Sequence, residues 1–93
     1  MAVHLIATVK GGTLDQYDKA SATLIKPGLP DGLLHHVCVP TDDGFLVIET
    51  WESEKAMQDF TGSERFQKET GATGMPQPDI QVRPVHYVQT ATK

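Results

Sequence analysis

The chain has 93 residues, which is enough for one compact domain and too few for two. Its 39% hydrophobic and 22% charged residues give an ordinary globular balance, which excludes a disordered chain. A formal charge of −4 makes the surface weakly acidic, so neither nucleic acid nor a membrane surface is an expected partner.

Residues 2–9 are rich in β-branched and apolar types and read as a first strand, ended by Lys10-Gly11-Gly12. Thr13, with Gln16 three residues on, has the spacing of a capping box, and Asp15 puts a negative charge where the helix dipole favours it. Leu14, Tyr17, Ala20, Ser21 and Leu24 then recur on one helical stripe. Lys26-Pro27-Gly28 closes this helix, because a residue before proline disfavours helical geometry. Residues 33–39 read as a second strand. Pro40 to Gly44 is a hairpin signal, with Gly44 suited to a positive φ.

Residues 45–52 form the third strand, and Ser53 caps a second helix whose apolar face is Ala56, Met57 and Phe60. Gly62 weakens that helix, and Ser63 with Phe66 starts a separate turn or helical segment. Residues 71–79 are rich in Gly and Pro and read as a mobile loop able to act as a lid. Residues 80–89 read as the fourth strand. Pro84 cannot donate to a ladder, which places this strand at an edge or gives it a bulge.

The order β-α-β-β-α-β predicts an α+β fold of the ferredoxin-like kind, one domain spanning residues 1–93. Its four-stranded antiparallel sheet carries two helices on one face. A sheet covered on one face only should alternate apolar with polar residues, and these strands do not. Val3, Leu5, Ala7 and Val9 share one side of the first strand, with Ile6 opposite. Phe45, Val47 and Trp51 share one side of the third, with Leu46 and Ile48 opposite. Two helices cover one face, so a second copy of the chain is the expected cover for the other.

A single cysteine, Cys38, rules out an internal disulfide framework and a cysteine metal cage, and suits a reducing cytoplasm. No apolar run approaches the roughly 20 residues that cross a bilayer. The first residues carry neither the basic nor the long apolar region of a secretion signal. The expected location is therefore cytoplasmic.

Trp51-Glu52-Ser53-Glu54-Lys55-Ala56-Met57, directly after an apolar strand and opening a helix, resembles the antibiotic biosynthesis monooxygenase group. Ser63-Glu64-Arg65-Phe66 and Pro84-Val85-His86 fit the same layout. The resemblance implies a dimeric α+β barrel, with a ligand pocket in each subunit between sheet and helices. It also implies a small oxygenase that needs no cofactor and acts on a polyketide or quinol-type aromatic. The haem-degrading branch of the group looks as though it needs an Asn, a helical Trp and a His iron ligand. This sequence has no Asn, and it has Phe60 and Thr70 where that Trp and His would fall, which disfavours haem.

Against this background, His36 and His86 stand among apolar neighbours on expected strands. Either suits a general base for a phenolic substrate, and a hydrogen-bonded structural histidine is the other reading of each. Trp51 and Tyr17 are the candidate substrate-binding residues, to be weighed against plain packing. Glu49 shares a face with Trp51, as a functional buried acid or an ion-pair partner, with Arg83 as its natural counter-charge. Cys38 lies about 6.5–7 Å along the strand from His36, too far for a direct bond, and reads as core. No metal site is expected, because the adjacent His35 and His36 point to opposite faces. The competing functional class is a non-catalytic binding or structural module. An enclosed pocket with at least two convergent polar groups separates the two classes.

Overall fold

The computed structural model describes residues 1–91. The chain runs β1 (Val3–Lys10), α1 (Leu14–Leu24), β2 (Leu33–Thr41), β3 (Gly44–Trp51), α2 (Glu54–Thr61), α3 (Glu64–Ala72) and β4 (Asp79–Pro84). The four strands form one antiparallel sheet in the order β2-β3-β1-β4, which is the ferredoxin-like arrangement.

Local chemistry sets the helix starts. Thr13 and Gln16 make a reciprocal capping box: Gln16 N–H donates to Thr13 Oγ1 at 3.1 Å and Thr13 N–H donates to Gln16 Oε1 at 3.0 Å. Ser53 and Ser63 accept from the amides of Ala56 and Phe66 and open α2 and α3 as separate helices. The sheet therefore carries three helices rather than two. The third continues through Gly71 and Ala72, which the sequence had assigned to a loop. Thr73 stops it, with Gly74 behind at φ +73° in the left-handed region. The loop shortens to residues 73–78.

The inner face of the sheet meets the helices. Val3, Leu5, Ala7 and Val9 point inward from β1, and Phe45, Val47, Glu49 and Trp51 from β3. Trp51 is 0% exposed and Phe45 1%, and Val3, Leu5, Ala7, Leu33, Trp51 and Met57 form the main core cluster. Ile6, Leu46 and Ile48 lie on the outer face, as the alternation predicts.

Three details depart from the sequence reading. Gly44 does not adopt a positive φ; it is needed because a Cβ there would stand 2.0 Å from the Val9 carbonyl oxygen. β4 stops at Pro84 rather than running to residue 89, because its partner β1 begins at Val3. The last rung is Val85 N–H to the Ala2 carbonyl, at 2.9 Å. The third departure is a bulge at Leu34. Leu33 pairs with Trp51 and His35 with Thr50, so Leu34 is an extra residue. Beyond it the facing is inverted: His36 and Cys38 point inward, while His35, Val37 and Val39 point outward.

Candidate functional site

The bulge sets His36 directly opposite Glu49 on the inner face. Its Nδ1 lies 2.6 Å from Glu49 Oε2, and both side chains are under 10% exposed. The other carboxylate oxygen, Oε1, accepts from the Trp51 indole N–H at 3.0 Å. From α1, the Tyr17 hydroxyl reaches His36 Nε2 at 2.6 Å, with the two rings stacked 5.9 Å apart. Tyr17 also packs edge-on against Phe45.

Hydrogen-bonding capacity orders this chain. Indole nitrogen can only donate, so Glu49 Oε1 must accept. With the carboxylate ionised, Oε2 accepts from Nδ1–H, which leaves Nε2 of the neutral ring to accept the Tyr17 hydroxyl proton. The sequence Tyr17–His36–Glu49–Trp51 thus has every donor matched to an acceptor. Buried side-chain nitrogen and oxygen atoms without a partner are absent among the described residues. Burial, with the charge of Cys38 as the next contribution, pushes the Tyr17 phenol above its ordinary range, so it is protonated at neutral pH. Burial and then Asp18 push the Cys38 thiol up as well, so it lacks the thiolate character of a nucleophile.

The chain lines a cavity of about 670 Å³ between the inner face and the helices. Phe45, Phe60 and Phe66 supply aromatic walls, and Tyr17, His36 and Glu49 converge on it from three elements. Among the described residues no Lys or Arg lines it, and Glu49 is its one carboxylate. A second hollow of about 700 Å³, beside the Pro27–Asp31 loop, carries Asp31, Glu52, Asp59 and Arg65 but no histidine or tyrosine. The first is the site in which proton-transfer groups meet apolar walls.

Of the residues singled out in the sequence, the structure brings together Tyr17, His36 and Trp51. Tyr17 and His36 line the cavity. Trp51 has no exposed surface with which to stack on a ligand; it packs on Phe60 and reaches the site through Glu49. His86 stands apart, exposed beyond the end of β4 and outside the cavity lining. Glu49 is the central residue, and Arg83 is not its counter-charge. Arg83 pairs with His4 across the ladder on the outer face, where His4 and His35 both meet the Thr50 hydroxyl, at 3.3 and 3.1 Å. Among the described residues, no three His, Cys, Asp or Glu side chains converge as a metal centre would need. Thr70 lines the cavity and turns its hydroxyl to the Phe66 carbonyl.

The sequence model of the antibiotic biosynthesis monooxygenase family matches residues 1–69. The chain belongs to that family. Solved structures agree on the fold of this family member. Rv0793 from Mycobacterium tuberculosis superposes with a TM-score of 0.67 at 17% identity, over 99% of this chain and 100% of that one. SnoaB, a cofactor-independent oxygenase from Streptomyces nogalater, gives 0.68 at 11% identity over 94% of each chain. A conserved protein from Methanosarcina mazei gives 0.69 at 14% identity, over 89% of this chain and 91% of that one. No curated protein matches the sequence.

Proposed function

We propose that this family member is a cofactor-independent oxygenase of a small aromatic or quinol-type metabolite, bound in the cavity between sheet and helices. The observation that carries this reading is the Tyr17–His36–Glu49 chain opening into an aromatic-walled cavity. Convergent polar groups in such a space favour an enzyme over a module whose interior is filled by side chains. The His36–Glu49 pair takes up the acidic proton of a phenolic ring, and Glu49 stabilises the imidazolium that results. The phenolate is electron-rich enough to be oxidised by dioxygen. One phenol and one O2 give one quinone and one water: one oxygen atom enters the ring, and the other leaves with the hydroxyl proton and the displaced ring hydrogen. SnoaB, described as a cofactor-independent oxygenase, lends this reading support by analogy of fold.

The enzyme works as a homodimer in this reading, with a second copy covering the outer face. Ile6, Leu46 and Ile48 form an apolar strip there, and Val37 and Val39 beside them are 45% and 38% exposed. Light scattering is expected to return twice the 10.2 kDa of one chain, and a monomer mass removes this element.

Oxygen-electrode assays with naphthols and hydroquinones, run with chelator and no added flavin or metal, test the activity. The expected result is oxygen uptake with one atom of labelled O2 in the product, reduced about 100-fold or more in His36→Ala. Ligand binding without oxygen uptake would instead identify a binding module.

A further inference from the structure

Both ring nitrogens of His36 are already engaged, Nδ1 by Glu49 and Nε2 by Tyr17, and its side chain is 9% exposed. A bound substrate finds no free nitrogen on the base. The residue beside it that keeps spare accepting capacity is Tyr17, which also lines the cavity and whose oxygen, after donating to Nε2, retains lone pairs to accept another hydrogen bond. Resting on the oxygenase reading above, we propose that Tyr17 is the catalytic residue that meets the substrate. In this proposal the site takes an uncharged phenol or hydroquinone and rejects aromatic carboxylates.

The proton balance is closed. The substrate hydroxyl gives its proton to Tyr17 Oη as the Tyr17 proton passes to His36 Nε2. The products are a substrate phenolate, a neutral Tyr17 and a His36 imidazolium whose Nδ1–H still faces Glu49. Tyr17 is protonated at neutral pH, so it accepts only by handing its own proton on; hydrogen bonding at 2.6 Å makes that transfer short.

The charge pattern sets the substrate class. With no Lys or Arg in the lining among the described residues, a carboxylate would enter without a counter-ion and meet Glu49, a like charge. A neutral phenol meets no such cost, and Phe60 and Phe66 offer it ring contacts.

4-Nitrophenol, whose ionised form is coloured, tests both halves without turnover, with 4-nitrobenzoate as the anionic control. Wild-type protein is expected to bind the phenol by calorimetry and to raise its coloured fraction at constant pH. Tyr17→Phe keeps the ring packing on Phe45 and His36, so it is expected to bind the phenol while its bound phenol titrates at least about one pKa unit higher, tenfold less ionised at a given pH. If Tyr17→Phe ionises the bound phenol as well as wild type does, the role of Tyr17 is overturned, while the oxygenase reading stands with His36 acting directly. Nitrobenzoate binding as tight as nitrophenol overturns the substrate class. Failure of wild type to bind any phenol removes the oxygenase reading itself, a separable outcome.

Discussion

Glu49 and His36, 13 residues apart on adjacent strands, are joined at 2.6 Å with both side chains almost wholly buried. Their relationship fixes which ring nitrogen carries the proton, and hence the direction in which a proton can travel from Tyr17.

Glu49→Gln reverses that direction. The amide oxygen can still accept from Trp51, but the amide N–H₂ faces Nδ1, which must then accept. The ring proton moves to Nε2, and Nε2–H points at the Tyr17 oxygen. Turnover of a phenol is expected to fall by about 10²–10⁴-fold with the fold intact. Oxygen uptake beside a thermal melt checks this, and wild-type turnover in the variant would contradict it.

Trp51→Phe removes the N–H donor to Glu49 Oε1 and leaves a buried oxygen unpaired. The expected loss is about 1–3 kcal/mol of folding stability, measurable by urea denaturation. A variant as stable as wild type would show that Glu49 finds another donor.

Two glycines should respond oppositely to alanine. At Gly44 a Cβ collides with the Val9 carbonyl, so Gly44→Ala is expected to cost about 1–3 kcal/mol or more. At Gly71, inside α3, a Cβ meets nothing within 4 Å, and Gly71→Ala is expected to gain about 0.5–1 kcal/mol. Denaturant midpoints measure both, and equal shifts of one sign would refute the contrast.

Burial raises the Tyr17 pKa above its ordinary value of about 10. A group raised on folding contributes stability that is intact below its unfolded pKa and lost as pH climbs through the folded one. Wild type is therefore expected to lose stability as pH rises above about 10, and Tyr17→Phe, with no proton to release, to lose less over the same interval. Urea melts on either side of that pH compare the slopes; identical slopes would contradict the assignment.

Ile48→Lys places a charge at the centre of the outer apolar strip while leaving the inner face untouched. It is expected to yield a folded monomer by light scattering, and an unchanged dimer would move the interface elsewhere on the molecule.

Features set by neighbours in the chain were legible in the sequence. Thr13 with Gln16, Ser53 and Ser63 mark helix starts through bonds spanning three residues, and the structure has each of them. The two-sided apolarity of β1 and β3 was equally readable, because strand facing has a period of two. What depends on distant partners was not. β4 ends where β1 runs out, which sequence around Pro84 does not report, and this leaves His86 outside the sheet. Finding the partner of Glu49 required the facing of three strands at once, and an extra residue in β2 had inverted one of them. Tyr17, His36 and Trp51 were recognisable as chemistry-bearing residues, and Glu49 as a functional acid or an ion-pair partner; that it links the other three was not.

That extra residue, Leu34, bears on how forgiving the site is to errors of strand alignment. Sliding β2 by one position, so as to iron out its kink, would carry His36 to the far side and bring His35 opposite Glu49. Since both neighbouring positions hold imidazoles, the carboxylate acquires a ring partner in either alignment, and a misthreaded edge strand keeps the pair that a single histidine would forfeit.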